Sequence, residues 1–148
     1  MSAVDSGELL ALAREAMRGA YAPYSGFRVG AVLEADDGRR FSGCNVENAA
    51  SSVTLCAERV ALGTAVRAGA RRFRRLALCA SGARPVSPCG VCRQALSEFG
   101  VETRVVSVAD GSNGGDVAEW TLEELLPARF GAGDLGRRPV VRDTGEEA

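Results

Sequence analysis

Three cysteines in the middle of the chain have the types and spacing of ligands for one metal ion. Cys89 and Cys92 stand three residues apart in the segment Pro-Cys-Gly-Val-Cys at 88–92, and Pro88 suits the first turn of a helix, where a missing N–H breaks no intrahelical bond. Residues three apart on a helix share a face, so both thiols would point the same way, and Cys56 would arrive from a second segment. Thiolates bind zinc, and three protein ligands leave the fourth tetrahedral position for water, as in catalytic zinc sites. The spacing therefore predicts one catalytic zinc ion.

Two charged residues that follow Cys56 closely, Glu58 and Arg59, can serve such a site. Glu58 is not needed as a ligand, so we expect it to be the base that takes the proton of the water. Both cysteine segments are predicted helix starts, where the helix dipole favours thiolates. Three thiolates around a divalent cation still leave a net negative charge, which disfavours ionisation of the water. We therefore expect Arg59 to hydrogen-bond the sulfurs and withdraw charge from them.

A structural zinc site is the alternative interpretation of the same cysteines. It needs a fourth ligand, for which Cys44 and Cys79 are the remaining thiols, and it leaves Glu58 without a role. Both of those cysteines lie in predicted strands and are expected to be small buried thiols. The open, catalytic site is therefore favoured.

Composition excludes several other functions. The chain has 148 residues, which predicts one domain, and a net charge of −1, which provides no field to attract nucleic acid or an anionic membrane. It contains no histidine, so a Ser-His-Asp triad is excluded and proton transfer falls to a carboxylate, a thiol or activated water. An odd number of cysteines, with neither a basic nor a long apolar segment at the start, predicts a cytoplasmic protein with reduced thiols.

Hydrophobic periodicity and turn residues predict the element order α-ββ-α-β-α-β-β-α. The Asp-Asp-Gly segment at 36–38 predicts a hairpin turn, and the continuous apolar run at 76–80 predicts a buried strand. Asp5 and Glu8 predict a capping box, Thr121 predicts a second helix cap, and the basic run at 71–75 predicts a solvated connection. A hairpin followed by strand–helix–strand units predicts a mixed sheet with helices on both faces. The predicted helices cover 5–19, 55–68, 88–99 and 122–126, and the predicted strands cover 27–34, 39–46, 76–80, 103–109 and 116–120. The domain is predicted to span 1–135, followed by a disordered polar tail at 136–148.

The sequence resembles the zinc-dependent nucleobase deaminases, which carry a ligand, one residue, Glu and then Pro-Cys-x-x-Cys. Four blocks carry a narrower resemblance: Tyr-Ser-Gly-Phe-Arg-Val-Gly-Ala at 24–31, Asn-Val-Glu-Asn-Ala at 45–49, Cys-Ala-Glu-Arg at 56–59 and Pro-Cys-Gly-Val-Cys-Arg-Gln at 88–94. With them the chain is still more similar to the small cytidine deaminases of nucleoside salvage, over about residues 21–130. This resemblance implies a three-layer α/β/α fold with a five-stranded mixed sheet and one zinc ion per subunit. It also implies hydrolytic deamination of cytidine and 2′-deoxycytidine to uridine and 2′-deoxyuridine with release of ammonia.

The same resemblance implies which residues contact the nucleoside. Phe27 would stack on the pyrimidine, while Asn45 and Glu47 would hydrogen-bond the ribose hydroxyl. The backbone N–H of Ala57 would donate to the base carbonyl, and the carbonyl of Ser87 would accept from the amine. An apolar ring for the base and polar groups for the sugar are chemically suited to a nucleoside.

The resemblance further implies an assembly. Phe130 matches a C-terminal aromatic that, in this family, closes the pocket of a neighbouring subunit, which implies a homotetramer with interfacial active sites. Relatives usually carry an aromatic residue shortly after the Asn-x-Glu-Asn-Ala block, and this chain has Ser51 there.

Three functions remain open at this point. The first is cytidine deamination, and the second is a related deaminase acting on another aminopyrimidine, such as a nucleoside antibiotic or a base in RNA. Action on RNA would require a basic groove and stacking aromatics, and 5% aromatic content with a near-neutral charge argues against it. The third is a zinc-binding module without catalytic activity.

Overall fold

The computed structural model describes residues 3–111 and 116–137, and its elements follow the predicted order. Short 3₁₀ helices at Ser51–Val53 and Ala132–Leu135 complete the described chain. The helices are α1 (Ala3–Met17), α2 (Ala57–Arg67), α3 (Gly90–Ser97) and α4 (Leu122–Leu125), and the strands are β1 (Val29–Ala35), β2 (Arg40–Cys44), β3 (Phe73–Ala80), β4 (Arg104–Ala109) and β5 (Val117–Thr121).

The five strands form one mixed sheet in the order β2-β1-β3-β4-β5, as expected. β3 and β4 are parallel and the other neighbouring pairs are antiparallel. Parallel neighbours require a crossover connection, and here α3 lies in that connection. The predicted hairpin turn at 36–38 joins β1 to β2, with Gly38 at φ +88°, a conformation that glycine adopts without steric cost.

Helices cover both faces of the sheet, which confirms the three-layer fold. Because successive side chains of a strand point to opposite faces, neighbouring residues of β1 and β3 belong to different cores. One core lies beneath α2 and α3 and includes Leu33, Leu76, Leu78, Ala61 and Leu96. The other lies beneath α1 and includes Leu9, Ala13, Val32, Ala77 and Cys79.

A glycine lets α2 approach the sheet very closely. A Cβ at Gly43 would lie 2.3 Å from the carbonyl oxygen of Ala57 and 2.6 Å from the nitrogen of Ala61, so any other residue would push the helix away. The first turn of α2 is the turn that follows Cys56. Close packing on Gly43 therefore helps to determine where that cysteine lies relative to the sheet.

Two predicted helix caps have different outcomes. α1 begins at Ala3, so Asp5 lies inside the helix and the predicted capping box of Asp5 with Glu8 is wrong. At α4 the cap is confirmed, because Thr121 accepts from the backbone N–H of Glu124 while the Glu124 carboxylate accepts from the N–H of Thr121. Such reciprocal bonds satisfy two N–H groups that a helix start leaves without partners.

The basic run at 71–75 is only partly a connection, because β3 already begins at Phe73. Arg75 is 2% exposed and donates to the equally buried carboxylate of Glu34, with Nη2 at 2.7 Å from Oε1. Arg40 of β2 also contacts this carboxylate, at 3.1 Å. The prediction of a solvated run is therefore wrong at Arg75, since a carboxylate on the neighbouring strand compensates the buried charge.

Replacing Glu34 by Ala is expected to destabilise the fold by about 3–5 kcal/mol, because a buried guanidinium would lose its carboxylate. The free energy of unfolding, measured by guanidinium chloride denaturation at one protein concentration, checks this. Glu8→Ala is the matched control, since it removes only an exposed contact with Arg40 and should change stability by about 1 kcal/mol or less. Equal effects of the two substitutions would contradict the expectation.

The predicted tail lies largely outside the described residues, which end at Arg137. The domain boundary at 135 and the disorder of the tail therefore stay predictions. Among the described residues, no helix combines the length and apolarity needed to span a membrane.

Candidate active site

Two helix starts carry the three cysteines. Cys56 is the N-cap of α2, and Cys89 is the N-cap of α3, each with an extended backbone at ψ 152° and 165°. Cys92 is the third residue of α3, on the same turn as Cys89. Leu55, just before Cys56, forms two backbone hydrogen bonds of 2.9 Å with Val46. This pairing attaches the first cysteine segment to the chain that leaves β2.

The geometry of the thiols fits one zinc ion. The three sulfurs lie within 4.8 Å of one another, and Sγ of Cys56 is 3.7 Å from Sγ of Cys89. Tetrahedral zinc with Zn–S bonds of about 2.3 Å places its sulfurs about 3.8 Å apart. Of the described cysteines, Cys44 and Cys79 are not in this group, and Cys79 lies in the core beneath α1. Neither of the two thiols proposed as a fourth ligand therefore closes the site.

The thiols influence one another's ionisation. A hydrogen bond from Cys92 is the main reason why the pKa of Cys56 falls to about 5. The same bond raises the pKa of Cys92, because Cys92 is the donor to the Cys56 thiolate. One thiolate is thus formed readily at neutral pH, and metal binding would release protons from the other thiols.

Arg59 lies against the first of these sulfurs. Its Nη2 atom is 3.8 Å from Sγ of Cys56 and donates to the carbonyl oxygen of Thr54 at 2.9 Å. The bond to Thr54 holds the guanidinium in place beside the sulfur. The structure thus places Arg59 where the charge argument expects it.

Glu58 is the second residue of α2 and is only 5% exposed. Its burial raises the pKa of the carboxyl group to about 7, and the thiols of Cys56 and Cys92 interact with it. A carboxyl group that titrates near neutrality can both take up and return a proton. Glu58 is therefore suited to proton transfer beside the three sulfurs.

Asn45 and Glu47 organise the loop at 21–28. The Asn45 amide donates to the carbonyl oxygen of Phe27 and accepts from the N–H of Val29, both at 2.8 Å. The Glu47 carboxylate accepts from the N–H groups of Tyr24 and Ser25 at 2.9 and 3.1 Å. Both side chains keep further hydrogen-bonding capacity for a sugar hydroxyl. These bonds fix the orientation of both side chains and restrict their movement.

Phe27 lies next to the loop that leads to Cys89. A Cβ at Gly82 would be 3.3 Å from Cε2 of the Phe27 ring. Two further hydrogen bonds of 2.9 Å join Arg28 to Ser81. Phe27, which is 40% exposed, therefore lies on the same side of the molecule as the loop that leads to Cys89 and α3.

The remaining expected contacts are backbone groups and an aromatic residue. Ala57 is fully buried in the first turn of α2, and Ser87 is half-buried just before Pro88. Phe130 is 59% exposed, and its carbonyl oxygen accepts from Nε2 of Gln94 at 2.9 Å. Ser51 is exposed at the start of the first 3₁₀ helix.

Two contributors escape sequence reasoning. The Ser25 hydroxyl bonds the Glu47 carboxylate and accepts from the N–H of Phe27 at 2.9 Å, which lowers the pKa of Glu47. Gln94 ties the C-terminal segment to α3. The only available signal was that both lie inside the matching blocks, because a hydrogen bond across distant segments has no local pattern.

Comparison with known proteins finds similar sequences over most of the chain. The family described as "Cytidine and deoxycytidylate deaminase zinc-binding region" matches residues 4–108. A cytidine deaminase of Sporosarcina psychrophila is 46% identical over 132 residues, which cover 89% of this chain and 96% of that protein. A cytidine deaminase of Halalkalibacterium halodurans is 44% identical over 133 residues, covering 89% and 98%.

A solved structure also matches. The crystal structure of a cytidine deaminase from Burkholderia pseudomallei superimposes with a TM-score of 0.79 at 41% identity, covering 88% of this chain and all of that one. The sheet and helices described above are therefore shared with a deaminase over most of the chain.

Proposed function

The chain belongs to the family of cytidine and deoxycytidylate deaminases, and we propose that it deaminates cytidine and 2′-deoxycytidine to uridine and 2′-deoxyuridine. In this reaction water adds to C4 of the pyrimidine and ammonia leaves. The observation that carries the proposal is the group of three thiols with buried Glu58 beside it, on the first turns of α2 and α3.

Cys56, Cys89 and Cys92 would hold the zinc ion. When bound, zinc supplies Lewis-acid activation of the attacking water. Glu58 takes one proton of that water as the oxygen bonds to C4, and returns it to N3 of the ring. It then moves the remaining proton of the C4 hydroxyl to the amine, so that the C4–N bond breaks, ammonia leaves and C4 becomes a carbonyl. A single carboxyl group can do all three because burial places its pKa near neutrality. The buried position also keeps other water away from the carboxyl group.

The loops around the site recognise the nucleoside. Phe27 offers its ring to the pyrimidine, and Asn45 and Glu47 bond the ribose hydroxyl. The N–H of Ala57 donates to the base carbonyl, and the Ser87 carbonyl accepts from the amine. The support is that hydrogen bonds between Arg28 and Ser81 join the loops that carry Phe27 and Ser87. The pyrimidine can therefore contact both loops.

An ultraviolet assay tests the activity. Zinc-loaded protein is mixed separately with cytidine, 2′-deoxycytidine, cytosine, adenosine, guanine and an aminopyrimidine nucleoside antibiotic, and both absorbance and ammonia are followed. Turnover of the two cytosine nucleosides is expected. Turnover of the antibiotic alone would favour the second candidate, and no turnover by zinc-loaded protein would favour a non-catalytic module.

We also propose a homotetramer in which Phe130 closes a neighbour's pocket. The support is the exposed Phe130 ring on a segment that Gln94 attaches to α3. Light scattering is expected to give about four times the 15.4 kDa mass of one chain; a monomer with full activity would exclude interfacial sites.

Cytoplasmic location is part of the proposal, and it is supported by the absence of disulfides among the described cysteines.

Replacing Arg59 by Gln is expected to lower kcat about tenfold and leave zinc content unchanged, because the sulfurs would lose a charge-assisted hydrogen bond. Steady-state kinetics and metal analysis of the same sample check this. Arg67→Gln, an exposed change in the last turn of α2, is the matched control and should be neutral. Wild-type kcat with full zinc in Arg59→Gln would contradict the charge role.

A further inference from the structure

Arg93 follows a proposed ligand, Cys92, and ties together two separate segments of chain. Its Nε donates to the carbonyl oxygen of Pro88 at 2.7 Å, and Nη2 donates to Oγ of Ser87 at 2.8 Å. Its Nη1 donates to the carbonyl oxygen of Leu125, at the end of α4, at 2.8 Å. The planar guanidinium fork thus meets three acceptors in a fixed arrangement.

The position of this arginine in the helix is unfavourable by itself. Arg93 is the fourth residue of α3, close to the positive end of the helix dipole, where a cation is destabilising. Charge-assisted bonds to three oxygens offset that cost. The contacts before the helix therefore account for a residue that helix chemistry alone would not favour there.

Arg59 shows a related arrangement with a different result. It reaches back to the carbonyl of Thr54, two residues before Cys56, and also contacts the sulfur of Cys56. Arg93 reaches back to Ser87, two residues before Cys89, and its hydrogen bonds among the described residues all go to oxygen. Arg93 thus holds backbone rather than sulfur.

The peptide unit that Arg93 constrains is the one that bears the Ser87 carbonyl. This carbonyl belongs to the Ser87–Pro88 bond, and Arg93 holds an atom on each side of it, Oγ of Ser87 and the carbonyl oxygen of Pro88. Within the described residues, the Ser87 carbonyl itself accepts no hydrogen bond. It is therefore oriented and still free to accept a hydrogen bond from a ligand.

We propose that Arg93 is a positioning residue that aims the Ser87 carbonyl at the amino group of the substrate, so that it determines recognition of cytidine over uridine. The inference rests on the proposed function, because it assumes a substrate with an amine at C4. Uridine has a carbonyl oxygen at C4 and cannot donate to Ser87. Loss of Arg93 should therefore weaken cytidine binding and leave uridine binding nearly unchanged.

The test measures binding separately from turnover. Arg93→Gln and Arg93→Lys are each made in the Glu58→Gln background, where cytidine stays unconverted, and calorimetry gives Kd for cytidine and uridine. In Arg93→Gln we expect cytidine to bind about tenfold more weakly and uridine to change less than twofold. Lysine keeps the positive charge and has one donor nitrogen in place of the guanidinium fork, so Arg93→Lys should recover part of the cytidine affinity. KM for cytidine should rise in parallel when Glu58 is present, with zinc still at one per chain.

Other outcomes overturn the inference. Equal weakening of both nucleosides, or unchanged cytidine affinity in both variants, would show that Arg93 does not orient the Ser87 carbonyl. Loss of zinc from both variants would show that Arg93 instead holds the cysteine ligands in place. Should Arg93→Gln fail to fold, Arg93→Lys alone decides by the same ratio of affinities. Activity of the parent protein on cytidine is measured first, so that failure of the proposed function is recognised separately.

Discussion

Protein carrying Glu58→Gln is expected to bind zinc and to lose about 10²–10⁴-fold in kcat, the usual contribution of a positioned acid–base group. The amide has the shape of the carboxyl group but cannot take the proton of water or pass it to the leaving amine. Glu58 is 5% exposed, so bulk water has little access to replace it. Steady-state kinetics on cytidine, with metal analysis of the same preparation, measures both quantities.

The matched control for this experiment is Glu15→Gln on the exposed side of α1. It makes the same chemical change far along the chain and should leave kcat at the parent value. Nucleoside binding provides the second check, since uridine should still bind to the Glu58→Gln protein. Near-normal turnover in Glu58→Gln would show that a different group transfers the proton.

Cys92→Ala is expected to remove both zinc and activity. The Cys92 side chain is fully buried and would supply one of three ligands, and two thiols with solvent do not hold zinc as three do. Part of the binding energy of a metal is folding energy, so Tm should fall together with the zinc content. Metal analysis and calorimetry measure these changes, and a chelator added to the parent protein should reproduce the loss of activity.

Cys44→Ser is the control for the loss of a thiol. Cys44 lies in β2 and is not in the group of three sulfurs, so zinc and turnover should be retained. If Cys44→Ser and Cys92→Ala lost zinc equally, Cys44 would be a fourth ligand and the site would be closed. Full zinc and activity in Cys92→Ala would contradict the proposed ligand set.

Much of the fold was predictable because its signals are local. The hairpin turn at 36–38, the buried run in β3 and the cap at Thr121 each depend on residues close in sequence. The cap predicted at Asp5 was wrong because α1 begins two residues earlier, at Ala3, in a helix whose Leu9 and Ala13 pack against the sheet. The buried pair of Glu34 and Arg75 was missed because its partners are 41 residues apart.

The sequence by itself determined which groups are available for chemistry. Three thiols and a carboxyl group, at spacings that place them on the first turns of two helices, predict a metal site and a base. Local helix geometry and ligand preference decide this, and neither depends on the rest of the chain. Only the tertiary structure decided how these turns meet, through close packing of α2 on Gly43 and bonds such as those of Arg93 to the turn at 87–88. Such contacts join residues distant in sequence, and their geometry follows from the packed whole rather than from any short segment.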